Sequence, residues 1–267
     1  MLPTIQQKLW QEYVWHRQTL SQLAKQYHRS IPWVKNQLDK AVICTNSVLS
    51  QNIVAVADTT FFGRNYGVLV IRCPRLRKNL YFHEVSSETT KEYRRARTQL
   101  EASGYVIQAT VIDGRRGVLG VFRDVPVQLC QFHQIAVIRR YLTLRPKLDA
   151  GKELRALTLS LATTTEKIFC ELLDLWYQKW NLFLKEKTYG ADGKHWQYAH
   201  RKTRSAYRSL KTNLPYLFTY QKYPELKIPN TTNSLDGFFG RLKGLLNVHR
   251  GTTTKRRYKL IQEILNK

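Results

Sequence analysis

Ile53-Val54-Ala55-Val56-Ala57-Asp58-Thr59-Thr60-Phe61-Phe62 is an apolar run broken by a single acid. Such a run predicts a strand buried on both faces with one carboxylate set into it. Gly67–Cys73 and Asn79–Val85 predict two more strands. The links between the three are short and polar, as in an antiparallel meander. Ser87 then reads as the cap of a charged amphipathic helix that runs to about Ser103 and stops at Gly104. Tyr105–Ile112 predicts a fourth strand, ending in Asp113-Gly114-Arg115-Arg116-Gly117. A short helical stretch leads to a fifth strand, Val125–Cys130, and Gln131–Tyr141 is helical.

Three strands, helix, strand, helix, strand, helix is the order of a ribonuclease-H-like fold, so the expected class is α/β. Within it, an Asp in Val-Ala-Val-Ala-Asp is costly to bury unpaired. Asp58 could cap a turn, and Asp113 before Gly114 could be a turn residue. Together, two acids at the ends of two buried strands point to a shared carboxylate site. Close carboxylates repel, and a divalent cation relieves the repulsion. Oxygen ligands favour Mg2+ or Mn2+, and two such ions serve phosphoryl transfer.

Composition agrees with a polyanionic partner. The chain has 267 residues, of which 43% are apolar, enough for a sizeable core and against disorder. Its net charge is +25 and its pI about 10.1. Segments 1–45, 46–145, 146–225 and 226–267 carry +4, +8, +6 and +7, so no single tail holds the charge. A basic surface spread this widely suits double-stranded DNA, with a structural RNA binder as the competing reading. No apolar run reaches membrane-spanning length, and no signal peptide follows Met1. A cytoplasmic, nucleoid-associated protein without a membrane partner or a small-molecule cofactor is expected. Cys44, Cys73, Cys130 and Cys170 form no Cys-x-x-Cys pair, which argues against a disulfide scaffold or a four-thiolate zinc site.

Residues 1–45 read as a helix-turn-helix DNA-binding domain. One helix covers 3–16. Leu20, Leu23, Ala24 and Tyr27 share a face of the next, and Ser30 can cap a third. Val34 and Leu38 then point inward and leave Trp33, Lys35, Asn36 and Gln37 for DNA, as in a major-groove helix. His28 stands where a turn glycine is common. Residues 50–145 form the first part of the core, and 146–226 an all-helical insertion. The insertion's Trp and Tyr residues are expected in its core, while Lys194, Arg201, Lys202, Arg204, Arg208 and Lys211 could track phosphates. Residues 227–267 complete the core with a helix from Thr232 to about Leu246. Basic residues cluster there at Arg241, Lys243, Arg250, Lys255, Arg256 and Arg257, which are expected DNA contacts together with Arg115 and Arg116.

Four blocks resemble bacterial insertion-sequence transposases of the Mutator-related DDE group. Val56-Ala57-Asp58-Thr59-Thr60 and Val111-Ile112-Asp113-Gly114-Arg115-Arg116-Gly117 resemble the first two acid blocks. Cys130-Gln131-Phe132-His133 resembles the Cys-x-x-His block, and Asn230-Thr231-Thr232-Asn233-Ser234-Leu235-Asp236-Gly237 the block bearing the third acid. The resemblance covers about 53–250. It implies that Asp58, Asp113 and Asp236 hold two divalent ions and that His133 positions DNA or catalytic groups. It also implies that the protein pairs DNA ends as a homo-oligomer. Asp236 departs from the family, which typically has Glu there and is longer by one methylene. A DNA-binding remnant without catalysis, and a nuclease outside transposition, are the alternative functions.

Overall fold

The computed structural model describes residues 3–43, 51–190 and 194–266. Cys44 and residues 191–193 lie outside them. β1 (Gln51–Phe61), β2 (Gly67–Cys73), β3 (Lys78–Val85), β4 (Tyr105–Ile112) and β5 (Val127–Leu129) form one mixed sheet in the order β3-β2-β1-β4-β5. β1, β2 and β3 are an antiparallel meander, whereas β4 runs parallel to β1 and β5 parallel to β4.

Alternation along the strands builds two cores. Ile53, Ala55, Ala57, Leu69 and Ile71 face one side; Val56, Val68, Val70, Ala109 and Val111 face the other. The first side is covered by α4 (Thr90–Ala102), α5 (Gln131–Leu142), α6 (Asp149–Leu159), α7 (Glu166–Lys185), α8 (Arg201–Leu217) and the short α9 (Thr219–Lys222). α1 (Ile5–Val14), α2 (Leu20–Gln26), α3 (Ile31–Lys40), α10 (Asn233–Val248) and α11 (Thr254–Leu265) cover the second. The described residues include no helix long and apolar enough to cross a membrane.

Local chemistry explains the N-terminal helices. Thr4 with Gln7, and Thr19 with Gln22, form reciprocal capping boxes, and the Ser30 hydroxyl accepts from Trp33 N. His28 occupies the turn at φ 51°, the conformation that makes glycine common there. These helices do not stand apart from the rest. Leu9, Trp10 and Tyr13 share a core with Leu260 and Ile261. The Tyr13 ring lies 3.9 Å from that of His249, and Trp15 Nε1 donates to Glu263 at 3.2 Å.

Three expectations are corrected. Thr89, not Ser87, caps α4, its hydroxyl accepting from Glu92 N. The segment 146–226 is not all-helical, because β6 (Lys187–Tyr189) and β7 (Trp196–Tyr198) pair as an antiparallel ribbon. Tyr189 and Trp196 on that ribbon are exposed, not core.

Candidate metal centre

The parallel register pairs Val56 with Val111. Asp58 and Asp113 each stand two residues further on, so the two acids come from adjacent strands at the same end of the sheet. Gly114 turns the chain there at φ 85°, and Cys130 N donates to Ile112 O, setting the start of α5 beside the same end. Gln131 N donates to Asn230 O, and Asn230 Nδ2 to Gln131 Oε1. These bonds bring in the segment that opens α10. Asp236 lies in the first turn of α10, where the helix dipole favours a carboxylate.

The result is a convergence of Asp58, His133 and Asp236, whose ligand atoms all lie within 4.8 Å of one another. Asp58 is 7% exposed. Its Oδ1 accepts from Thr59 N at 2.7 Å. Burial pushes its carboxyl up to about 7; the Thr59 bond and His133 oppose this, while Asp113 and Asp236 add to it. His133 is held above the usual imidazole range by its hydrogen bond with Cys130, against burial, and by the charges of Asp58 and Asp236. Burial raises the Cys130 thiol, but bonds with His133 and Thr232 outweigh it and hold the thiol below its ordinary value.

Thr232 is the hub that sequence reasoning missed. It is fully buried. Its hydroxyl lies within hydrogen-bond reach of Cys130 Sγ (3.4 Å), His133 Nδ1 (3.4 Å) and Asp236 Oδ2 (3.3 Å). The Cys-x-x-His spacing thus braces a carboxylate on another helix rather than supplying half a zinc site.

Asp113 stays outside the three-residue group, its Oδ1 accepting from Arg115 N at 3.0 Å. Beside it is Glu88, a fourth acid that no periodicity in the sequence singles out. The Glu88 side chain is 11% exposed and binds Arg115 Nη1 at 3.0 Å and the Tyr93 hydroxyl at 2.6 Å. Burial raises its carboxyl, with the neighbouring Asp113 charge adding to the rise.

The expected DNA contacts divide by exposure. Lys35, Asn36, Arg115, Arg116, Arg241, Lys243, Arg250 and Lys255 are exposed. Trp33 and Gln37 are half-buried, and Gln37 Oε1 accepts from Gln6 Nε2. Arg257 is half-buried over the Tyr66 ring. Arg256 is a correction. It is 4% exposed, and its guanidinium grips Asp39 of α3 through Nε at 3.0 Å and Nη2 at 2.7 Å. A side chain buried in this way ties two helices together and is withdrawn from any phosphate.

Two carboxylates and an imidazole converge, so the group could hold a metal ion. The donor set is two carboxylate oxygens and one imidazole nitrogen. In comparison with known proteins, the sequence matches no protein-family model and no curated protein.

Proposed function

We propose that this protein is a DNA transposase with a ribonuclease-H-like core, cutting and joining phosphodiesters with the help of divalent cations. The observation that carries the reading is the convergence of Asp58 and Asp236, 178 positions apart in sequence, with His133 on one point. The sheet order and the +25 charge support it. A cation bound there would polarise a phosphate oxygen and favour the hydroxide form of an attacking water. Asp58 and Asp236 supply the negative charge, and Thr232 and Cys130 fix His133 and Asp236 relative to each other. Asp113 is assigned to a second ion. In the first step water attacks phosphorus, the P–O3′ bond breaks and the 3′ oxygen takes a proton. In the second, the freed 3′-hydroxyl attacks target DNA and releases the target's own 3′-hydroxyl. Neither step needs a covalent enzyme intermediate. The α2–turn–α3 unit is assigned to the element ends, with Lys35 and Asn36 outward. End pairing assigns the working state to a homo-oligomer on DNA.

The test is cleavage and strand transfer on DNA carrying the flanking element ends, at about 0.15 M salt to suppress loose binding. Wild type is expected to act only with manganese or magnesium. Asp58→Ala and Asp236→Ala should each lose about a hundredfold or more, while specific end binding survives. Activity that appears only in Asp236→Glu would mean a decayed copy. Tight specific binding with no activity in any variant would favour the DNA-binding remnant.

A further inference from the structure

We infer that the ribbon β6–β7 is a stacking platform for unpaired bases of DNA. Two registered pairs, Lys187 with Tyr198 and Tyr189 with Trp196, place four side chains on one face of the ribbon. None of them is buried: Trp196 is 47% and Tyr189 60% exposed. An isolated two-stranded ribbon is marginal in water, so exposing two large aromatics on one is unfavourable unless something covers them.

The charge around the platform says what covers it. Residues 185–204 contain six Lys or Arg against two acids. One of those acids, Glu186, is already engaged by His200 at 2.8 Å. Lys187 Nζ sits 3.8 Å from the centre of the Trp196 ring, and the Arg204 guanidinium 3.9 Å from that of Tyr198. Arg201 and Lys202 are exposed at the start of α8. Aromatic faces interleaved with cations are the pairing that binds single-stranded nucleic acid: rings take the bases and cations take the phosphates. An apolar protein partner would not need the cations, and an intact duplex offers no free base face.

The platform lies away from the metal centre. Gln134 bonds Ser209, and Gln131 Nε2 bonds Leu217 O, so α8 runs antiparallel to α5. Its C-terminal half lies along α5, which carries His133, and its N-terminal end follows the ribbon. The α8 residues that contact α5 there, Ser209 to Leu217, stand eight to sixteen positions from Arg201, about 12–24 Å along the helix, or about four to seven base steps of a strand. The ribbon therefore holds a strand opened at a distance from the scissile phosphate. This inference deepens the proposed function and rests on it for the choice of DNA.

The experiment is fluorescence anisotropy of the full chain with labelled oligo-dT, oligo-rU and a blunt duplex at about 0.15 M salt. Cleavage by the same preparations is measured in parallel. Oligo-dT affinity should fall about tenfold in Trp196→Ala and remain near wild type in Trp196→Phe. Duplex affinity should change less than twofold. Lys187→Ala should flatten the salt dependence, which Trp196→Ala leaves alone. Equal affinity of Trp196→Ala and wild type for oligo-dT overturns the inference, whether or not DNA is cleaved. So does a Trp196→Ala loss of the same size on duplex, or a preference for oligo-rU. Normal oligo-dT results without cleavage would instead count against the proposed function alone.

Discussion

Asp58 shows how one residue couples site and stability. Its carboxyl is pushed up to about 7 by burial, against about 3.9 in an unfolded chain. Between these values the folded state binds the extra proton, so the stability of the metal-free protein falls as pH rises through that window. Above about pH 7 the buried charge is a full cost, and a cation removes it. Manganese should therefore raise the melting temperature more at pH 8 than at pH 6, as differential scanning calorimetry would show. Asp58→Asn should stabilise the metal-free protein at pH 8 by roughly 1–3 kcal/mol and abolish the manganese effect. Equal manganese gains at both pH values would contradict this. Thr232 gives a second prediction at this scale. Thr232→Val removes the hydroxyl between His133 and Asp236 and should weaken manganese binding about tenfold by calorimetric titration, with Thr232→Ser near wild type. Asp58 was legible in the sequence as a lone acid set into an apolar run and Asp113 as an acid just past one, although Asp113 stays outside the three-residue group. Thr232 and Glu88 were not, because their partners are set by docking: Thr232 meets Cys130 across 102 positions and Glu88 meets Arg115 across 27.

Among elements, the strands and α5 followed from hydrophobic periodicity. The ribbon β6–β7 did not, since three residues per strand give alternation nothing to repeat against. Lys255-Arg256-Arg257 misled for a related reason. Successive helical residues turn by about 100°, so one member of a basic run can face inward, and Arg256 does. Removing its partner should leave a buried guanidinium uncompensated. Because Asp39 is half-exposed, the expected cost of Asp39→Ala is about 2 kcal/mol in urea unfolding, below the range for fully buried pairs. Lys255→Ala should leave stability unchanged and lower the salt slope of the proposed DNA binding. α10 carries Gly240 inside a helix, with open space where a Cβ would stand. Gly240→Ala should therefore stabilise by about 0.5–1 kcal/mol, and a lower urea midpoint would show a contact made at that spot.

At the scale of the whole molecule, the sheet is a wall between two cores, and the ends of the chain share one of them. The sequence suggested a separable N-terminal domain because residues 1–45 have their own caps and amphipathic pattern. It gave no sign that Tyr13, Trp15 and Asp39 would pack against α10 and α11. Calorimetry should accordingly show residues 3–43 unfolding together with the sheet in one transition, and two separated transitions would contradict the shared core. The same layering lets chain segments from opposite faces of the sheet converge on one candidate cation site. Pulsed electron paramagnetic resonance of bound Mn2+ reports a nitrogen ligand. Wild type should bind one manganese strongly with a nitrogen modulation, the modulation lost in His133→Phe and the binding lost in Asp58→Asn with Asp236→Asn. Manganese bound equally well by the double variant, or no strong binding by wild type, would contradict it.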